Sequence, residues 1–249
     1  MIDVNFDFTS DNVYWDHFWQ RRDLGGGACD PDVASPTLRK YHKILWSKKL
    51  PSGEFMDLQY GTPVSKNYLV WKDFRFASDS ILATFRYDCM VSVISQVKEQ
   101  VPNFKEWMED FIRKSYTIGG MLIFPKHKNS INGCRGTNPK IRDRIDLTME
   151  CIRRYYNGED SPLNWVFETD KKFFDLFVDF KGYVDFFFMN DIVSDDYKSV
   201  KFFLDFDGFK LKPLPKNVDE YFMWRKNSGE FLRKRNERID IWQKANLKE

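Results

Sequence analysis

Eight basic side chains fall between residues 126 and 154: Lys126, Lys128, Arg135, Lys140, Arg142, Arg144, Arg153 and Arg154. Only Asp143, Asp146 and Glu150 oppose them. Local charge of this kind is suited to an anion. In the turn Gly133-Cys134-Arg135-Gly136-Thr137 the two glycines relieve crowding and allow Arg135 to project. Thr137 or Asn138 is placed to cap a following helix, whose unpaired N–H groups would hold a phosphate, and Arg135 would add a bidentate contact. Arg135, Thr137, Lys140, Arg142, Arg144, Arg153 and Arg154 are therefore the candidate phosphate-binding residues. The segment is not a Walker A loop, because GCRGTNPK lacks the GxxxxGK[ST] spacing. The competing reading is that these arginines solvate the outer face of an amphipathic helix.

Residues 168–196 reverse the balance, with eight carboxylates against Lys171, Lys172 and Lys181. Just beyond them stands Asp205-Phe206-Asp207. If 200–207 is a strand, the two carboxylates share a face and Phe206 points away. Such a pair, joined by Asp185 or Asp191, would ligate Mg²⁺ or Mn²⁺, since hard cations favour oxygen. Beside the basic helix, that metal would suit hydrolysis or transfer at phosphate. The plainer alternative is a polar turn closed by Gly208.

Other groups offer less. His42 shares a helical side with Arg39 and with Trp46, and is a candidate general acid or base if a carboxylate lies beside it. Glu150 is a second candidate catalytic residue. His127, between Lys126 and Lys128, suits contact with an anion, and Cys134 sits in a loop whose positive charge would lower its pKa. Ser78-Asp79-Ser80 reads as a helix cap. The four cysteines have no paired spacing for zinc or for a small disulfide framework.

The elements that must position these groups come from a chain of 249 residues, 42% hydrophobic and 17% aromatic, enough to build a core without cross-links. Its net charge of +2 points to no partner by bulk electrostatics. The acidic start MIDVNFDFTSD lacks the sections of a signal peptide, and no apolar run approaches the ~20 residues of a membrane span. The expectation is a reduced, cytoplasmic protein with no membrane partner.

Residues 1–36 read as irregular, with Trp15, Phe18 and Trp19 before a three-glycine break. Helices are expected from Thr37 to Trp46, over 79–98, 103–114 and 140–156, after Thr169, and from about 217 onward, where Gly229 would divide the last one. Strands are expected at 116–124, 183–189 and 200–206, with a polar turn over 126–139. The pattern predicts an α+β fold: a mainly helical, single compact domain with a small mixed or antiparallel sheet. Its parts are an irregular segment 1–36, a main domain 37–215 and a docked basic helical segment 216–249. Within that last segment, Trp224, Arg225, Arg233, Lys234, Arg235, Arg238 and Trp242 fit either nucleic-acid backbone contacts or a helix docked by its Phe231/Ile239/Trp242 stripe.

SPTLRKYHKILWSKKLPSGEFMDL (35–58), YTIGGMLIFP (116–125), INGCRGTNPKIRDRIDLTMECIRRYY (131–156), FKGYVDFFFMNDIV (180–193) and VKFFLDFDGF (200–209) together resemble an uncharacterised bacterial protein family over roughly 30 to 240. That resemblance implies no activity. Arg135-Gly136-Thr137 also looks like the arginine-containing first motif of ADP-ribosyltransferases, which implies NAD held by Arg135 and an acidic residue, Glu150 or Glu168, at the ribosyl cation. Neither Ser-Thr-Ser nor Glu-x-Glu follows. The leading expectation is a phosphate-processing enzyme acting on a nucleotide, DNA or RNA. The alternatives are ADP-ribosyl transfer and a nonenzymatic regulatory or nucleic-acid-binding protein.

Overall fold

Ser35 starts the first long helix as its residue type signals. In the computed structural model, which describes residues 1–11, 31–61, 68–82, 90–210 and 212–247, helix α1 (Pro31–Ala34) leads directly into α2 (Pro36–Trp46). The Ser35 hydroxyl oxygen accepts from the Leu38 N–H at 3.0 Å, and proline fills the first turn. Asp11 accepts from both the Ser35 hydroxyl and the Thr37 N–H at 2.8 Å, placing negative charge at the positive end of the helix. Leu38, Tyr41, His42, Leu45 and Trp46 then face the core. The expectations for Trp15, Phe18, Trp19 and the three glycines lie outside the described residues, as do His17, Cys29 and Cys89.

Four strands follow: β1 (Gln59–Tyr60), β2 (Leu69–Trp71), β3 (Phe74–Ser80) and β4 (Met121–Pro125). They lie side by side in that order, each antiparallel to the next. The sheet is thus antiparallel. In register, Phe76 faces Pro125 and Ser80 faces Met121. Residues 79 and 80, expected in a helix, belong to β3, and α3 (Val91–Gln100) begins later. Strand β4 matches the expected 116–124 run at its second half only. Its first half is a 3-10 turn, Ile118–Gly120, in which the Gly120 N–H bonds the Thr117 carbonyl at 2.9 Å.

Helix α4 (Phe104–Ser115) lies where the spacing puts it. The expected polar turn at 126–139 is corrected by α5 (Ile131–Thr137), and the amphipathic helix is α6 (Ile145–Tyr156). Between them Arg142 and Asp143 both take left-handed backbone, with φ of 50° and 60°. Next come α7 (Asn164–Thr169), α8 (Lys171–Phe174) and α9 (Phe180–Phe186). The strands expected at 183–189 and 200–206 are absent among the described residues. The first region is largely α9, and the second is irregular apart from one bridge between Val193 and Val200. Apolar runs of this length suit a buried helix as well as a strand, and here aromatic packing decides. Phe167–Phe174 and Tyr183–Phe187 ring centroids stand 4.9 Å apart, and Phe173–Phe177 5.0 Å, in edge and tilted contacts.

The last helix, α10 (Val218–Asn246), runs unbroken through Gly229. It turns Tyr221, Trp224, Ser228, Phe231, Leu232, Arg235 and Ile239 inward at spacings of three and four. Gln243 exchanges two bonds of 2.7 Å with the backbone of Ile2, so the start of the chain is tied to its last helix. The fold is α+β and predominantly helical.

At Gly120 a Cβ would lie 1.8 Å from the Ser115 carbonyl oxygen, whereas at Gly133 it would meet nothing within 4 Å. Gly120→Ala should therefore lower unfolding free energy by roughly 1–3 kcal/mol. Gly133→Ala should leave it unchanged or raise it by up to about 1 kcal/mol. Denaturant titration of the two variants checks the contrast.

Candidate functional site

Arg135 does not project. It is fully buried, and all five of its N–H donors are engaged within the chain. Nε donates to Thr148 Oγ1 at 3.2 Å, Nη1 to Asp79 Oδ2 at 2.7 Å and Ser80 O at 3.1 Å, and Nη2 to Ile81 O at 3.2 Å and Asp143 O at 2.5 Å. Burial alone would lower its pKa, but Asp79 and Asp143 outweigh that and raise it, so the guanidinium stays charged. No donor remains for a phosphate. The reason is local: α5 turns the arginine inward toward the end of β3. Thr137 ends that helix with its hydroxyl on the Gly133 carbonyl at 2.9 Å, and Arg144, not Thr137 or Asn138, occupies the cap position of α6.

Arg144, Arg153 and Arg154 of the basic stretch are also neutralised internally. Arg144 pairs with buried Asp146, whose Oδ2 also accepts the Phe203 N–H at 2.9 Å. Arg153 grips Glu150 and Glu159, each through two bonds of 2.9–3.0 Å, and Arg154 Nε donates to Glu150 at 2.7 Å. Glu150, a candidate catalytic residue, is the shared anchor of two arginines. Asp79 and Glu159 lie outside the stretch whose charges were compared, which is why the excess looked larger than it is. Along α10, Arg233 and Lys244 pair with Glu237 and Asp240, and Arg238 pairs with Asp191 through 3.0 and 3.1 Å bonds.

The acidic candidates separate. Asp185 is bonded by Lys181, Asn190 and Tyr197, and Asp191 by Arg238. Asp205 and Asp207 lie elsewhere, on an irregular loop. Among the described residues no group of three or more His, Cys, Asp or Glu side chains could hold a metal. Neither Asp185 nor Asp191 therefore joins the Asp205/Asp207 pair as the expected third ligand.

Lys140 and Arg144 line the same cleft, of about 160 Å³, as Asp205 and Asp207. The loop that closes it contributes Phe206, Phe209, Lys212 and Lys216. Lys140, Lys212 and Lys216 are exposed, and Arg144 stays tied to Asp146 and to the Pro213 carbonyl. Phe206 stacks on Phe202 at 4.2 Å, and Arg154 lies over the Phe206 and Phe209 rings at 5.8 and 5.0 Å. Asp207 Oδ1 accepts the Lys210 N–H at 3.0 Å, which orders the turn. Nothing in the sequence marked Lys212 and Lys216, because the loop that swings them under α6 has no periodicity.

His42 is held as a neutral donor. Trp46 Nε1–H donates to its Nδ1 at 2.9 Å, which leaves the proton on Nε2, 2.9 Å from Ser78 Oγ; Ser78 in turn reaches Asp32 at 3.4 Å. Burial, assisted by the positive Arg235, pushes its pKa down to about 3. His127 Nε2 is paired with Asp170 at 2.8 Å. The Cys134 thiol pKa is raised by burial and by Asp170, the opposite of the lowering its basic neighbours implied.

The chain belongs to a family of unknown function, DUF6994, whose model matches residues 2–239. No curated protein and no solved structure matches it. Among the described residues no helix is long and apolar enough to cross a membrane.

Two stability predictions follow from this site. Arg135→Ala should destabilise the fold by roughly 3–5 kcal/mol, since Asp79 and three carbonyls lose their donor; equilibrium unfolding reads it. For His42 the folded pKa lies below the ordinary histidine value of about 6.5, so the unfolded chain binds the extra proton. Stability from this group is complete above pH 6.5 and falls progressively toward pH 3. Melting curves across that window should show the loss, and His42→Gln should flatten it.

Proposed function

We propose that the protein processes a phosphate-bearing ligand, a nucleotide or the end of a nucleic acid, in the cleft between Lys140 and the 204–216 loop. The observation that supports this reading is the meeting of Asp205 and Asp207 with Lys140, Lys212 and Lys216 around one concavity. Two carboxylates are too few for an all-protein cation cage. They fit the mode in which Mg²⁺ or Mn²⁺ is shared between one or two carboxylates and the phosphate itself.

A cation brought by the ligand would supply Lewis acidity and an activated water. The chain's own contribution is positioning. The lysine ammonium groups are mobile point charges that draw in and orient phosphate oxygens, while Asp205 and Asp207 exclude an unescorted anion and favour its metal complex. Phe206 and Phe209 give the cleft an apolar wall against which a base or sugar can rest. An NAD reading through Arg135 has no such support, because its donors face inward.

Calorimetric titration with Mg²⁺-ATP, Mg²⁺-GTP and a short 5′-phosphorylated oligonucleotide tests the reading. Saturable binding should weaken by about tenfold or more in Lys140→Ala/Lys212→Ala and in Asp205→Asn/Asp207→Asn, the size expected when charge-assisted contacts are lost. Failure of all three probes to bind, or binding indifferent to both variants, would overturn it.

A further inference from the structure

Lys48 carries an amine that the phosphate reading leaves without a role. Its Nζ lies over four aromatic rings: Phe188 at 4.0 Å, Phe186 at 4.5 Å, and Trp46 and Trp242 at 5.1 Å. Among the described residues its one hydrogen bond is donated to the Phe186 carbonyl, at 2.7 Å. It makes no ion pair with a carboxylate among the described residues. The side chain is only half buried, and it forms part of the wall of a cavity of about 580 Å³ with Lys49, Pro51, Phe177, Asp179, Lys181 and Asp185.

We propose that Lys48 is a nucleophilic amine that forms an imine with a small carbonyl compound bearing a carboxylate, a 2-oxo acid, in this cavity.

Three features converge on that chemistry. The rings cover part of the amine, and burial, with the positive Arg235 nearby, lowers its pKa to about 7, which favours the neutral, nucleophilic form over that of an ordinary lysine. The ring faces still favour the ammonium form, which gives the protonated state a resting place beside the cavity. The charged groups around it are set accordingly. Arg235 on α10 is positive and fully buried, and His42 on α2 is neutral. Asp185 is tied to Lys181, Asn190 and Tyr197, and Asp179 to the Gly182 N–H. Lys49, exposed on the cavity rim and without an ion pair among the described residues, is the charge left to receive a carboxylate.

The step is balanced without a further reactant. The neutral Nζ adds its lone pair to the carbonyl carbon, and the carbonyl oxygen takes up a proton to give a carbinolamine. Loss of that hydroxyl as water, with the remaining nitrogen proton, leaves a carbon–nitrogen double bond to Lys48. Nothing is oxidised or reduced.

The test is reductive trapping of the full-length wild-type protein with pyruvate and borohydride at pH 7, followed by peptide mass mapping. Lys49 and Lys181 in the same digest serve as internal references, so the result does not depend on a variant that folds. Lys48 should carry the reduced pyruvyl adduct at least about tenfold above either reference, because ordinary surface amines titrate near 10.4 and are almost wholly protonated at that pH. Its labelling should level off above pH 7. Acetaldehyde, which has no carboxylate, should lose preference for Lys48 relative to pyruvate. Equal labelling of all three lysines, an unmodified Lys48, or equal preference for acetaldehyde would overturn the proposal. A folded Lys48→Met protein should lose the adduct at this site while keeping that of Lys49; a redistribution of the whole signal would also contradict it.

Discussion

A guanidinium in a protein core must find an acceptor for each of its five N–H groups, and Arg135 finds them in three separate pieces of chain. The end of β3, the residue after it, the left-handed turn at Asp143 and the second turn of α6 all close on that one planar group. Once those bonds are made, α5 is pinned to the sheet and α6 is set at a fixed angle beside it. Arg235 performs the same task on the far side without a carboxylate, donating to the carbonyls of Gly119, Met121 and Phe187. Burial brings its pKa down to about 9, so it remains charged at neutral pH. Tyr183, also fully buried, lies within the field of both arginines.

These two braces explain why so much of the molecule's charge is unavailable to a ligand. A chain with thirty-nine basic and thirty-seven acidic residues has both signs to pair, and the buried part of that pairing is structural. Two places set charge beside a concavity: three exposed lysines with Asp205 and Asp207 in one cleft, and a caged amine opening on another. The phosphate reading rests on the first and the imine reading on the second, and neither requires the other. Both clefts are bordered by segments without regular structure, the 204–216 loop and the stretch around Pro51 and Val178, held in place by the braced core beneath.

The helices were legible where a stripe had room to repeat. Leu38/Tyr41/Leu45, Phe111/Ile112 and Ile145/Met149/Ile152 mark α2, α4 and α6, and Ser35 marks a start that its hydroxyl then makes. Strand β3 was hidden because Phe74–Ser80 ends in Ser-Asp-Ser, which suits a helix cap until the partner of Asp79 is known. The aromatic runs near 183–189 and 200–206 looked like strands because their length and β-rich composition do not separate a strand from a buried helix or a packed loop. The site suffered from distance more than from pattern. Arg135 meets Asp79 across 56 residues of sequence, and Phe203 meets Asp146 across 57, so local charge comparison could not register either.

The central claim is that Arg135 braces the core while ligand contact is left to the lysines of the cleft. The most direct measurement is the exchange of arginine Nε–H protons by nitrogen-15 NMR, recorded before and after addition of Mg²⁺-nucleotide. The Arg135 signal should exchange slowly and stay in place, while the lysine ammonium signals of Lys140 and Lys212 move. A rapidly exchanging Arg135 signal that shifts on addition of the nucleotide would contradict the account.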